Sequence, residues 1–103
     1  MNDVAERVLS TVSSIPSGHV MTYGDVAEAA GTGARAVGQV LRNSGHHVPW
    51  WRVVDARGRP VEGAAQEALE QFLEESTPLL HRGDDVRVDL ARASWPTHDV
   101  GRT

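Results

Sequence analysis

The stretch Thr22-Tyr23-Gly24-Asp25-Val26-Ala27-Glu28-Ala29-Ala30-Gly31-Thr32-Gly33-Ala34-Arg35-Ala36-Val37-Gly38-Gln39-Val40-Leu41-Arg42-Asn43 decides the fold. Thr22 is a good helix N-cap, and Asp25 three residues on makes a variant of the capping box. Gly31 stands where a C-terminal glycine belongs. The spacing predicts a helix over 23–30. A second helix is expected from Ala34 to Asn43. Ala34, Val37 and Leu41 share one face of it, and Arg35, Gln39 and Arg42 share another. Two helices joined across Gly31-Thr32-Gly33 give the outline of a helix-turn-helix.

Before this core, Val4, Val8 and Val12 recur at i+4 with Leu9 and Ile15, which predicts a helix over 3–14 capped by Asn2 or Asp3. Ile15-Pro16-Ser17-Gly18 ends it with turn residues. After the core, Ser44-Gly45-His46-His47-Val48 reads as a loop. Pro49-Trp50-Trp51-Arg52 follows, then Val53-Val54 as a short strand and Asp55-Ala56-Arg57-Gly58 as a turn. A further helix is expected over 65–76, with Ala68, Leu69, Phe72 and Leu73 inward and Glu67, Glu70, Glu74 and Glu75 outward. Pro78 stops it. Val86-Arg87-Val88-Asp89-Leu90 alternates like a half-buried strand and suggests a wing. The expected fold is α/β and mostly helical, a winged helix-turn-helix-like domain over 1–95 with a loose tail over 96–103.

The 103 residues argue for one domain with one modest core. Apolar residues make up 40% and charged residues 23%, an ordinary globular balance that excludes a disordered chain. No apolar run approaches the ~20 residues of a membrane span. The start has no basic segment followed by an apolar one, so the cytoplasm is the expected compartment. The absence of cysteine excludes a disulfide, a thiolate zinc site and a thiol nucleophile. The five histidines form no helical pair or ligand cluster, so no metal is expected, and no glycine spacing suggests a phosphate loop or cofactor.

Net charge is −4, but it is unevenly spread. Residues 32–60 hold five arginines (35, 42, 52, 57 and 59) against the single acid Asp55. A local basic stretch governs phosphate contact more than the total does.

Four blocks, taken in order, resemble the DNA-binding domain of O6-alkylguanine-DNA alkyltransferases. They are Ile15 through Gly24, then Ala34-Arg35-Ala36-Val37-Gly38, then Asn43, then Pro49-Trp50-Trp51-Arg52-Val53-Val54. The match runs from about Val4 to Phe72. In the repair enzymes the last block reads Pro-Cys-His-Arg-Val, and its cysteine takes the alkyl group. Here Trp50 stands at the cysteine and Trp51 at the histidine, and the glutamate of the enzymes' hydrogen-bonded network is expected to fall at Thr77. The pattern is similar to the alkyltransferase-like proteins, which bind alkylated guanine without repairing it. An indole cannot act as a thiolate. The resemblance therefore implies a non-enzyme that recognises O6-alkylguanine in double-stranded DNA, flips it out and flags it for nucleotide excision repair proteins, acting as a monomer.

The resemblance also assigns roles. Arg35 is the finger that enters the base stack, since its planar charged group can bond the orphaned partner base. Tyr23 crowds the target phosphate. Trp50 forms the wall or floor of the pocket, where an indole suits a guanine and its alkyl group. Thr22, Gln39, Arg42 and the amides of Ala34 and Ala36 are candidates for contacts to the DNA, and Val53 and Val54 offer backbone groups to the flipped base. Asn43, Trp51 and Arg52 are read as support for the loop. A minor-groove approach suits sequence-tolerant inspection. The competing readings are a winged-helix transcription regulator, disfavoured by the small residues on the recognition face, and a fold relic that binds protein through its acidic helix.

Overall fold

The computed structural model describes residues 3–96. The expected cap at Asn2 and the tail from residue 97 onward lie outside the described residues. Helix α1 (Asp3–Ser13) buries Val8 and Val12. It stops one residue short of expectation, where the bonds tighten to i→i−3: the Ser14 N–H reaches the Thr11 carbonyl and the Ile15 N–H the Val12 carbonyl. Strand β1 (Met21–Thr22) leads into α2 (Tyr23–Ala30). Thr22 Oγ1 accepts the Asp25 N–H at 3.1 Å, the expected N-cap. Gly31 closes α2 at φ 73°, a conformation only glycine adopts cheaply, and its N–H reaches the last carbonyls of the helix. Helix α3 (Ala34–Ser44) runs one residue past Asn43 and ends where the Gly45 N–H bonds the Leu41 carbonyl.

The Trp-Trp-Arg block forms a single 3₁₀ turn (Trp50–Arg52) that feeds β2 (Val53–Val54). β1 and β2 pair in parallel, with Met21 beside Val53 and Thr22 beside Val54. This pairing fixes the start of α2 next to the loop that carries both indoles. The pleat of β2 sends successive side chains to opposite faces. Val53 joins a cluster with Val8, Val12, Ile15, Val26 and Val37 between the first three helices. Val54 joins a second cluster with Val20, Ala68, Phe72, Val88 and Ala93, against which Trp50 and Trp51 pack.

Helix α4 (Ala65–Glu74) buries Ala68 and Phe72. Two expectations fail here. Leu73, expected inward, is 62% exposed. The helix also ends two residues before Ser76. The Thr77 N–H bonds the Phe72 carbonyl at 2.9 Å and the Ser76 N–H bonds the Leu73 carbonyl at 3.2 Å, with Ser76 at φ 59°. These bonds are a Schellman stop, and they make Glu75 the C-cap rather than an outward helical residue.

The expected wing strand has a partner that the sequence reading missed. β3 (Leu79–Arg82) and β4 (Asp85–Val88) form an antiparallel hairpin turning at Gly83. Residues 80–82 of β3 are all exposed, so no alternation marked the strand. A short helix α5 (Leu90–Ala93), also not anticipated, follows; Val20 bonds across to Ala93 and Trp95. No helix among the described residues is long and apolar enough to cross a membrane.

Candidate nucleic-acid interface

The two helices and the indole loop enclose an open cleft of ≈ 790 Å³. This is within the size range of small-molecule and base pockets. Tyr23 enters it from the first residue of α2. Ala34, Arg35, Gly38, Leu41 and Arg42 enter from one face of α3, Gly45 and His46 from the following loop, and Trp50 from the 3₁₀ turn. Residues 61–64 form the remaining wall. That wall was not anticipated, because its residues match no site motif. The small side chains at Ala34 and Gly38 lie one helical turn apart and keep the α3 face open. A Cβ built on Gly38 would meet nothing within 4 Å. Arg35 is exposed at the second position of α3. The first turn of α3 has no side-chain cap, since Gly33 precedes it.

The other expected residues fall in different places. Thr22 is occupied as the α2 cap. Ala36 is half-buried and Gln39 is exposed, and neither lines the cleft. Val53 is 1% exposed in the first core cluster, and its N–H closes the 3₁₀ turn on the Trp50 carbonyl. Its N–H is therefore already committed, and Val54 is likewise buried. Asn43 is exposed on α3, and its side chain makes no hydrogen bond among the described residues, so it does not brace the loop.

Arg52 and Trp51 both bond a carboxylate that was expected elsewhere in the chain. Arg52 Nη1 donates to the Ile15 carbonyl at 2.8 Å. Its Nε donates to Glu75 Oε1 at 3.1 Å, and its Nη2 donates to Glu75 Oε2. Trp51 Nε1 donates to Glu75 Oε2 at 3.1 Å, and the Gly18 N–H donates to Oε1 at 3.2 Å. The network glutamate expected to be lost at Thr77 is thus present at Glu75. Thr77 is itself buried, with its hydroxyl unpartnered among the described residues. The signal for Glu75 was nonlocal, because it depended on where α4 stops.

Two ionisable groups are shifted. Burial opposes ionisation of Glu75, but hydrogen bonds from Arg52, Gly18 and Trp51 and the Arg52 charge outweigh it, holding the carboxyl below its ordinary range. Burial, with the Asp55 charge adding and Arg42 opposing, pushes the Tyr23 phenol up. Tyr23 therefore keeps its proton at neutral pH and presents an O–H donor to the cleft.

Residues 3–76 match the family model of the 6-O-methylguanine DNA methyltransferase DNA-binding domain. The chain belongs to this family. It is 38% identical to the Escherichia coli DNA base-flipping protein over 87% of this chain and 72% of that protein. It is 30% identical to Schizosaccharomyces pombe alkyltransferase-like protein 1, over 92% of this chain and 96% of that one. The structure of S. pombe Atl1 in complex with damaged DNA containing O6-carboxymethylguanine superposes with a TM-score of 0.80 at 29% identity, covering 92% and 96% of the two chains. The Mycobacterium tuberculosis O6-methylguanine methyltransferase superposes with a TM-score of 0.60 at 30% identity, covering 76% of this chain and 52% of that one. Within the methyltransferase DNA-binding-domain family, this chain spans about half of that enzyme and nearly the whole of the alkyltransferase-like protein. The winged helix-turn-helix-like expectation is met by this family's fold, mostly helical with small sheets.

Proposed function

We propose that this protein binds O6-alkylguanine in double-stranded DNA by rotating the damaged nucleotide into the cleft, and that it leaves the alkyl group in place. One observation carries the reading. The indole of Trp50 lines the cleft at the motif position of the alkyl-accepting cysteine, in a sequence with no cysteine. Indole offers an apolar face for a purine and its alkyl group but no nucleophile. Its N–H is a donor only.

The surrounding residues fit the steps that flipping needs. Extruding a base costs a few kcal/mol, less when the base is damaged and badly paired. Arg35, exposed at the head of α3 beside the cleft, fills the vacated stack and bonds the orphaned base. Tyr23, neutral and half-buried at the cleft edge, bears on the target phosphate and donates its hydroxyl. Arg42 and the uncapped amides of Ala34 and Ala36 hold the flanking backbone. All these groups come from one chain, so a monomer suffices. A lesion that is gripped but chemically unchanged still has to be cut out. The complex therefore serves as a mark for nucleotide excision repair.

The test compares affinity for matched duplexes with and without one O6-methylguanine, followed by intact-protein mass measurement. Tighter binding to the lesion with no mass gain is expected. Trp50→Ala and Arg35→Ala should each erase most of the preference. Equal affinity for both duplexes would overturn the reading, and so would a protein carrying one added alkyl group.

A further inference from the structure

Trp50 lines the cleft and packs, half-buried, against the edge of the second core cluster. It sits on a 3₁₀ turn of three residues, a segment too short to fix a large side chain by backbone geometry alone. Its ring meets Trp51 edge to face, with centroids 5.7 Å apart and an interplanar angle of 86°. Trp51 does not line the cleft. It packs into the second core cluster, with its N–H on Glu75 Oε2 and the Arg52 guanidinium 5.5 Å from its ring centre. The Glu75 carboxylate receives four hydrogen bonds: two from Arg52, one from Trp51 and one from the Gly18 amide. It thereby joins the C-cap of α4, the loop after α1 and the turn that bears the indoles. Glu75 itself stays out of the cleft.

We infer that Glu75 is a positioning residue, which sets the orientation of the Trp50 indole in the lesion cleft through the Trp51 N–H. The physical logic is preorganisation. An edge-to-face pair transmits orientation, because each ring has a preferred angle to the other. A ring anchored by a charge-assisted network cannot turn without breaking it. A fixed wall loses little freedom when a base arrives against it. The effect falls on discrimination between damaged and intact DNA. Phosphate contacts, which dominate affinity for plain duplex, come from other residues. The binding half of this inference rests on the lesion-recognition reading above; the orientation of Trp50 does not.

The experiment uses the full chain labelled with 5-fluorotryptophan at its three tryptophans, the Trp50 line being assigned from Trp50→Phe. Glu75→Gln keeps the side-chain shape, and Glu75 does not line the cleft. A shift or broadening of the Trp50 fluorine line in the free Glu75→Gln protein is expected. Preference for the O6-methylguanine duplex over the plain one should fall about tenfold, the scale of a hydrogen bond to a charged group. Affinity for plain duplex should stay within about twofold, because phosphate contacts set it. Trp51→Phe, which keeps an aromatic ring but removes the N–H, should lower the preference similarly, and adding Glu75→Gln to it should cost little more. An unmoved Trp50 line, or losses that add in the double variant, would overturn the inference. If Glu75→Gln fails to fold, Trp51→Phe carries the comparison: an unchanged lesion preference there refutes the route. If the parent protein shows no lesion preference at all, the lesion reading falls and the Trp50 line alone decides the positioning role.

Discussion

The Arg52–Glu75 pair offers the sharpest test of how this small domain holds its loop. Arg52 and Glu75 side chains are 16% and 10% exposed, and Arg52 also caps the Ile15 carbonyl at 2.8 Å. Removing one member of a buried pair leaves the other charge without compensation, at a cost of about 3–5 kcal/mol. Partial access to water lets the stranded carboxylate recover some hydration, so Arg52→Ala should cost ~3 kcal/mol. That is a large share of the roughly 5–15 kcal/mol typical of a whole domain. It should lower the thermal midpoint by about 12–24 °C. Urea unfolding of the parent, Arg52→Ala, Glu75→Gln and the double variant gives the coupling, expected near 2 kcal/mol.

The same series titrated with acid checks the sign. The folded protein holds the Glu75 carboxyl below its ordinary range. Its contribution is therefore fully present above the unfolded pKa, about 4.3, and is lost as pH falls through the lower folded value. The stability gap between parent and Glu75→Gln should thus be flat near neutrality and shrink below about pH 4.3. A coupling under about 0.5 kcal/mol, the level of a solvated surface pair, would refute the argument, as would a gap that widens in acid.

Two further outcomes follow from the geometry. Trp50→Cys should acquire no efficient alkyl transfer in a mass assay with O6-methylguanine duplex. Glu75 is present, but Trp51 Nε1 already donates to it, and an indole N–H cannot accept the thiol proton. On α4, Phe72→Ala should cost about 3–5 kcal/mol, whereas the neighbouring Leu73→Gln should change stability by less than about 0.5 kcal/mol in denaturant melts, because only the first is buried.

Which elements were legible in the sequence follows from the range of the forces that make them. The capping of α2 by Thr22 and Gly31, the helical spacing of Val8 and Val12, and the Val53-Val54 strand all depend on residues a few positions apart. They were read correctly. The motif order placed Tyr23, Arg35 and Trp50 together, the helical face added Arg42, and the cleft contains all four. The hairpin partner β3 was missed because its exposed face carries no alternation. Asn43 was misplaced because a motif gives residue order, not side-chain direction.

The sequence alone determined the helix-turn-helix core, the lack of any thiol nucleophile, and the cleft residues Tyr23, Arg35, Arg42 and Trp50, because local capping, periodicity and residue type suffice for these. Tertiary structure alone decided that Glu75 rather than a lost glutamate anchors the loop. Helix α4 stops in a Schellman turn that swings Glu75 inward, where Arg52, Trp51 and Gly18 converge on it from other parts of the chain. Such convergence depends on contacts between residues far apart in sequence, which no local pattern encodes.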